Sequence, residues 1–281
     1  MSTLKKKIDF VALISVTMAN SNGDPLNGNR PRTDYEGFGE ISDVCIKRKI
    51  RNRMQDMGAN IFVQSDDRCD DGFKSLSERA SATMGKIKDR EEYIRLACEK
   101  WLDVRSFGQV FAFKSTEKSG VSVGVRGPVS IHQAVSISPV EVRSMQITKS
   151  VNGEPSDKRG SDTMGMKHFV RFGLYKVKGS INVQLAEKTG FSEEDMQMVK
   201  ECLRTLFVND VSSARPEGSM EVYKLYWWEH NCPIGQYSSA TVHRSLHVSP
   251  KDGIDVPVSA EDYEIKMDEL PGLQCEVIDG V

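Results

Sequence analysis

The stretch IDFVALISVTM, residues Ile8 to Met18, decides the fold. Its apolar side chains recur at every second position, and a period of two predicts a β-strand with one buried face. The residues predicted on that face are Ile8, Phe10, Ala12, Ile14, Val16 and Met18. The same alternation in MEVYKLYWW, residues 220–228, predicts another strand, in which Trp227 and Trp228 pack in the core.

Capping residues and apolar periodicity place the other elements. Ser42 predicts the start of a helix that Gly58 ends. Its predicted buried stripe consists of Ile46, Ile50, Met54 and Met57. Ser192 and Asp195 form a Ser-x-x-Asp cap that opens another helix. The remaining predictions are strands at 106–113, 121–131, 169–177 and 181–185, a helix at 91–102, and irregular chain at 60–83.

The order of these elements predicts the fold class. Strand, helix, strands, strand, helix and strand is the order of an α+β fold with a split βαβ core of ferredoxin-like or RRM-like type. Two stretches, roughly 59–102 and 139–167, interrupt that core as insertions. The second contains VNGEPSDKRGSDTMG, residues 151–165, which has almost no apolar content and predicts a long exposed excursion.

Composition and charge limit the class of protein. No apolar run approaches the ~20 residues of a membrane-spanning helix, so we expect a cytoplasmic protein with no membrane anchor. The six cysteines are scattered without C-x-x-C spacing, which argues against a zinc site or a disulfide framework. The net charge of −2 divides into −7 on residues 249–281 and +5 on the rest. A basic body with an acidic tail keeps nucleic acid among the candidate partners.

A long polar segment, NSNGDPLNGNRPRTD, follows the first strand; we call residues 20–34 the polar loop. Its glycines permit positive φ angles and the close approach of another backbone. Its candidate ligand-binding residues are Asn20, Asn22, Arg30 and Arg32. Arginine forks suit phosphates, and fifteen residues is long for a plain surface turn, so a ligand-facing loop is favoured.

The helix after the polar loop contains KRKIRNR, residues 47–53, with five positive charges and no negative one. Lys47, Arg48 and Arg51 are predicted to project away from the apolar stripe, with two further cations, Lys49 and Arg53, beside it. A solvated basic face is the plain alternative. Because like charges one helical turn apart repel and the run contains no acid, a polyanion would supply the missing counter-charge.

Catalytic readings find less support in the sequence. Asp24 or Asp34 could bind a metal or act as a base, but no second acidic cluster accompanies either. The histidines lack metal-ligand spacing, and His243 and His247 lie in SSATVHRSLHVS, which alternates like a strand. No G-x-S-x-G elbow and no P-loop is present. The sequence therefore predicts no catalytic residue, no metal and no cofactor.

Several of these stretches carry a family resemblance. The polar loop followed by SDVCIKRKIRN, together with DVRSFGQVFA from Asp103 and SDTMGMKHFVRFGLY from Ser161, resembles the backbone subunit of CRISPR Cascade surveillance complexes of subtype I-C, the Csd/Dvulg type of the RAMP superfamily. The resemblance implies an RRM-like palm, a helical fingers insertion and a thumb β-hairpin insertion. On this chain it implies a palm at 1–58, 103–138 and 168–281, the last with the acidic C-terminal segment, fingers at 59–102 and a thumb at 139–167.

The resemblance also implies a function. Such a protein is a non-catalytic scaffold that polymerises along CRISPR RNA, binds its sugar-phosphate backbone and leaves the bases for target DNA in antiviral interference. The implied partners are CRISPR RNA, the paired DNA strand, further copies of the chain and other Cascade subunits. The implied phosphate contacts are Lys47, Arg48, Arg51 and Arg126, and the implied apolar wedges of the thumb are Met145, Ile147, Met164 and Met166.

Two alternatives stay open at this point. Related backbone subunits of type III complexes cut target RNA with a loop aspartate, which gives a metal-dependent ribonuclease with Asp24 or Asp34 as the candidate residue. A module that binds only proteins is the third reading, and it leaves the basic helix unexplained.

Overall fold

The structure is a computed structural model, and it describes residues 2–85, 87, 89–112, 122–152, 155 and 164–281. Its helices are α1 (Asp43–Asp56), α2 (Leu76–Met84), α3 (Arg90–Lys100), α4 (Leu102–Phe107), α5 (Val183–Thr189), α6 (Glu193–Arg204) and α7 (Ser239–Ser245). Its first strands are β1 (Ile8–Ala19), β2 (Gly23–Asp24), β3 (Arg30–Pro31), β4 (Phe38–Ile41), β5 (Gly108–Phe111), β6 (Val123–Arg126) and β7 (Val129–Ile131). The remaining strands are β8 (Ala134–Pro139), β9 (Val142–Thr148), β10 (Met164–Ile181), β11 (Met220–Glu229), β12 (Leu246–Pro250), β13 (Tyr263–Met267) and β14 (Cys275–Asp279).

The main sheet pairs its strands antiparallel in the order β14–β11–β1–β10–β8–β4, and β7 and β9 also pair with β10. In the centre, Phe10 of β1 lies opposite Gly179 of β10 and Trp227 of β11. The Phe10 and Trp227 rings stack with centroids 5.5 Å apart. The mixed helix and antiparallel-sheet class, the two alternating strands and the buried position of both tryptophans are confirmed.

The sheet separates two apolar cores. Side chains of α1, α5 and α6 pack on one face against alternate residues of β1 such as Phe10 and Ile14. On the other face α7, β12 and β13 cover Val11 and Leu13. β1 is therefore buried on both faces, whereas its alternation predicted only one buried face, because the C-terminal elements return to cover the second.

The predicted helix starts are confirmed at atomic detail. The Ser42 hydroxyl accepts the Cys45 backbone N–H at 3.2 Å and caps α1. Ser192 and Asp195 cap α6 reciprocally, each side chain accepting the backbone N–H of the other residue at 3.2 and 2.9 Å. A side-chain acceptor at such positions satisfies N–H groups that have no partner within the helix.

A third core lies within the helical unit formed by α2, α3, α4 and the β5–β6 hairpin. Phe62 packs against Trp101 and Phe111, with ring centroids 4.6 and 5.1 Å away. The cluster continues through Val104 to Val125, so it includes residues that the sequence placed among the palm strands rather than in the first insertion.

Two predictions near the ends of the central strands are wrong. Met18 was expected in the core, but it has a φ of 53° and is 46% exposed, and Ala19 is buried in its place. The left-handed backbone at Met18 breaks the alternation one residue before the strand ends. Residues 181–185 do not form a strand, because β10 ends at Ile181 and the Asn182 side chain accepts the Leu185 N–H at 2.8 Å to cap α5.

Other predicted elements also change type. α2 occupies chain expected to be irregular, and the signal was present as the Ser-x-x-Glu cap of Ser75 and Glu78. The strand predicted from Ser106 begins only at Gly108, after α4. The strand predicted at 121–131 is divided between β6 and β7, which belong to different sheets, and the stretch around His243 is the helix α7. Residues 113 and 121 lie outside the described residues.

A substitution tests the packing at the sheet centre. A Cβ added to Gly179 would collide with the Phe10 ring and the Ser130 carbonyl oxygen. Overpacking in a well-filled core costs about 2 kcal/mol, so Gly179→Ala should lower the free energy of unfolding by that amount. Gly124→Ala is the control, because a Cβ at Gly124 meets nothing within 4 Å. Urea unfolding measures both, and equal midpoints for the two variants would contradict this packing.

Candidate nucleic-acid interface

The cations of the basic helix α1 are largely compensated by the fold. The ion pairs join Lys47 to Asp43, Lys49 to Asp210, Arg51 to Asp103 and Arg53 to Asp56. The expectation that these charges lack nearby acids is therefore wrong, because two of the acids come from distant parts of the chain. Arg48 is exposed and forms no ion pair within the described residues.

Lys49, predicted beside the apolar stripe, is buried together with it. It is 2% exposed, pairs with Asp210, and its ammonium lies 5.2 Å from the centroid of the Phe207 ring. Burial lowers the pKa of Lys49, and the charge of Asp210 opposes that shift. Lys49 thus anchors α1 to the segment after α6 and is not accessible to a ligand.

Arg51 joins α1 to the helical unit. Its Nε donates to Asp103 at 2.9 Å, and the Asp103 carboxylate also accepts the backbone N–H groups of Phe62 and Val63 at 2.8 and 3.1 Å. The guanidinium lies 5.1 Å from the Phe107 ring centroid. Since Asp103 is 1% exposed, removing Arg51 would leave a buried carboxylate without its cation.

The two asparagines of the polar loop hold it against the body. Asn20 is buried, and its side-chain amide donates to the Asn29 carbonyl at 2.7 Å. The Asn22 side-chain oxygen accepts the Ser42 N–H at 2.9 Å, directly before α1. The loop is therefore an ordered structure with the short β2–β3 ladder, and its asparagines make intramolecular bonds.

The two loop aspartates organise turns. Asp24 Oδ1 accepts hydrogen bonds from the Leu26 N–H at 3.2 Å and from Arg32 Nη2 at 3.3 Å. Asp34 Oδ1 accepts the N–H groups of Glu36 and Phe38 at 2.9 and 2.8 Å. Among the described residues, no group of three or more histidine, cysteine, aspartate or glutamate side chains is arranged to hold a metal ion.

Strand β9 and residues 164–170 of β10 form a hairpin that extends from the sheet; we call it the β9–β10 hairpin. The four apolar side chains predicted as wedges are all exposed: Met145 50%, Ile147 47%, Met164 63% and Met166 55%. The register places Met145 opposite Lys167 and Met166 opposite Gln146. Because side chains alternate between faces along a strand, the four residues divide into two pairs on opposite faces.

Arg30 links the polar loop to this hairpin. Its Nη1 donates to Ser144 Oγ at 2.9 Å and lies 3.5 Å from His168 Nδ1. The other predicted arginine, Arg126, is exposed at the end of β6, and its side chain meets no partner within the described part of the chain. Arg30, Arg48 and Arg126 are the predicted arginine contacts that form no ion pair with a described carboxylate.

The chain matches the family "CRISPR-associated protein Cas7" over residues 6–268. It belongs to the Cas7 family. A relative from Haloferax volcanii, described as CRISPR-associated protein Cas7, is 26% identical over 257 residues, which cover 84% of this chain and 74% of that protein.

A solved structure resembles this Cas7-family chain in fold. A chain described as "CRISPR RNA-guided surveillance complex, pre-nicking" matches with a TM-score of 0.50 and 16% identity over 79% of this chain and 78% of that chain. A chain of a "CRISPR RNA-guided surveillance complex" gives a TM-score of 0.43 and 18% identity over 79% and 68% of the two chains. None of the described helices is long and apolar enough to span a membrane.

Two histidines of this Cas7-family chain, His230 and His243, are buried near Asp9. His230 Nδ1 accepts the Gln236 N–H at 2.9 Å, so its Nε2–H donates to Asp9 Oδ2, also at 2.9 Å. His243 donates its Nε2–H to the Gly179 carbonyl at 3.0 Å. Burial alone would raise the pKa of Asp9, but hydrogen bonds from His230 and Lys7 lower it. These contacts support a structural role.

The ion pairs of the α1 cations lead to a prediction about the free energy of unfolding. Arg51→Met should lower the free energy of unfolding by about 3 kcal/mol, because the buried Asp103 carboxylate loses its cation. Arg48→Met removes an exposed charge with no ion pair and should change it by no more than about 0.5 kcal/mol. Urea unfolding of the two variants checks this, and equal effects would show that the Arg51 pair does not stabilise the fold.

Proposed function

We propose that this protein is a non-catalytic scaffold that polymerises along CRISPR RNA and binds its sugar-phosphate backbone. In this proposal the bases stay available for pairing with target DNA during antiviral interference, as part of a type I-C Cascade complex with other subunits. The observation that carries the proposal is the family match over residues 6–268. The descriptions of the similar solved chains as parts of RNA-guided surveillance complexes agree with it.

The order of elements supports an RRM-like palm. β1, α1, β8, β10, α6 and β11 follow one another as strand, helix, strand, strand, helix and strand, and the strands pair in the order β11–β1–β10–β8. The helices α1 and α6 both contribute to the apolar core on one face of that sheet. Two helices on one side of such a sheet agree with a split βαβ core. In this chain α7, β12 and β13 cover the other side.

Two other units fit the proposed fingers and thumb. The helical unit has its own aromatic core and is tied to the palm through Arg51 and Asp103. The β9–β10 hairpin presents exposed apolar side chains on both faces. Most of the polar excursion at 151–163 lies outside the described residues, so the thumb assignment rests on the hairpin alone.

The proposed RNA contacts differ in how freely they can act. Arg30, Arg48 and Arg126 form no ion pair with a described carboxylate, which suits phosphate binding. Lys47 and Arg32 each share a surface ion pair that a phosphate could replace at little cost. Arg51 donates its Nε–H to Asp103, so it remains a proposed RNA contact only through its Nη groups. Asn20 and Asn22 contribute by holding the polar loop in its conformation.

Sequence-tolerant binding through phosphates leads to a test by salt dependence. Arg48→Gln should weaken binding to two unrelated single-stranded RNAs alike and lower the salt slope by ~0.7 for the lost contact. Arg95→Gln is the matched control, because it removes an exposed arginine that is paired with Glu99 on α3. Fluorescence anisotropy over a range of salt concentrations measures both. An unchanged slope in Arg48→Gln would contradict the proposed contact.

The same RNAs, incubated with Mg²⁺ or Mn²⁺, test the ribonuclease alternative. Intact RNA is the expected result, since Asp24 and Asp34 are engaged in turns. Metal-dependent cleavage that disappears in Asp24→Ala or Asp34→Ala would replace the scaffold with a ribonuclease.

The proposed thumb makes a prediction about assembly. Met145→Ser with Ile147→Ser, and Met164→Ser with Met166→Ser, should each leave the monomer folded, because all four side chains are exposed. Both double variants should load fewer copies onto one RNA if the apolar side chains act as wedges or contact a neighbouring copy. Val256→Ser with Val258→Ser, also exposed, is the control. Sedimentation of the protein–RNA mixtures gives the copy number, and normal loading by both thumb variants would contradict the assignment.

A further inference from the structure

A polar cluster lies where the polar loop meets the β9–β10 hairpin. Ser144 on β9 and His168 on β10 are opposite each other in the ladder, and Arg30 reaches them from β3. The Arg30 Nη1 to Ser144 Oγ distance is 2.9 Å, and the Ser144 Oγ to His168 Nδ1 distance is also 2.9 Å. Three segments that are far apart in the sequence therefore form one hydrogen-bonded chain.

The chemistry of the three groups fixes one of these bonds and favours one direction for the other. A guanidinium can only donate, so Ser144 Oγ accepts from Arg30. The Arg30 Nη1 group lies 3.5 Å from His168 Nδ1 and opposes a proton on that nitrogen, so the favoured direction has the Ser144 hydroxyl donating to Nδ1. With Nδ1 as the acceptor, the proton of the neutral imidazole is on Nε2. Three donor groups of the cluster therefore have no acceptor among the described residues. They are the His168 Nε2–H and the Nε and Nη2 groups of Arg30.

The charge of the cluster is not balanced within the described chain. Neither Arg30 nor His168 forms an ion pair with any described carboxylate, whereas four of the five cations of the basic helix do. Glu141, which directly precedes β9 at the base of the hairpin, pairs with Arg143 and Arg171 instead. A half-buried guanidinium beside an imidazole N–H and a hydroxyl has the donor set and the positive charge of an anion site.

We propose that Arg30, Ser144 and His168 form a binding site for one phosphate of the RNA backbone. The inference rests on the proposed function for the identity of the ligand, and it adds two residues, Ser144 and His168, that the sequence analysis did not assign to a binding site. Arg30 supplies the charge, His168 Nε2–H donates directly, and Ser144 fixes the tautomer and orientation of the imidazole. Because the donors come from the loop and from both hairpin strands, a bound phosphate joins the hairpin to the palm.

Binding to a short mixed-sequence RNA provides the first arm of the test. Arg30→Gln should weaken binding about tenfold, the effect of losing a hydrogen-bonded charge contact. Arg143→Gln is the matched control, because Arg143 precedes Ser144 on the same strand, faces the opposite side and is paired with Glu141. Equal losses in the two variants would overturn the proposal, since they would report only general charge.

Two replacements of His168 separate a phosphate contact from a latch between loop and hairpin. His168→Gln places an amide nitrogen near the position of Nε2, whereas His168→Asn places a polar atom near Nδ1 and loses the outer donor. The proposal expects near-normal RNA binding in the Gln variant and a loss in the Asn variant similar to that of His168→Ala. The reverse order would show that the cluster only holds the hairpin and would overturn the site.

A second arm uses inorganic phosphate with the wild-type protein labelled on histidine nitrogen. The His168 signals, identified by their loss in His168→Gln, should shift on addition of phosphate and not on addition of chloride at equal ionic strength. A shift without RNA binding would keep the anion site and reject the RNA scaffold. RNA binding that is unaffected by the variants, with no phosphate shift, would reject the site and keep the scaffold. Failure of both would reject both.

Discussion

The central strand β1 constrains the rest of the structure because it is hydrogen-bonded on both edges and buried on both faces. β10 and β11 pair with it, and apolar clusters cover each side. Even its one buried acid, Asp9, is held by Lys7 and His230 from the ends of neighbouring segments. Segments inserted before, between or after the core strands must therefore leave β1 covered. The helical unit and the β9–β10 hairpin meet this condition, because neither replaces a strand that pairs with β1.

The positive charge that a ligand can reach in the fold does not follow the positive charge density along the sequence. Residues 47–53 form a basic run within α1. Two of its cations nevertheless make ion pairs inside the fold: Lys49 with Asp210 after α6, and Arg51 with Asp103 of the helical unit. The cations in these two ion pairs stabilise the contacts between segments, and little of their charge reaches a ligand. Arg30, in contrast, sits in a loop of modest charge and keeps its guanidinium uncompensated beside the hairpin.

In the proposed scaffold, the paired and the unpaired cations therefore have different roles. Paired cations join α1 to the segment after α6 and to the helical unit. In the proposed function, Arg30, Arg48 and Arg126, which form no ion pair with a described carboxylate, are the cations that attract a polyanion whatever its sequence. The hairpin contributes apolar side chains on both faces, so it can contact different surfaces on its two sides. Membership of the Cas7 family fits a protein that repeats such contacts along an RNA.

The sequence by itself determined the α+β class, the central strands, the caps of α1 and α6 at Ser42 and Ser192, and the family through its loop and helix motifs. These features depend on side chains within a few residues of each other, so local periodicity and spacing report them. Only the tertiary structure decided that Lys49 is buried and that Arg51 is paired, because their acids lie 161 and 52 residues away. It also decided the meeting of Arg30, Ser144 and His168, since long-range contacts follow from how the sheet and hairpin pack and leave no pattern along the chain.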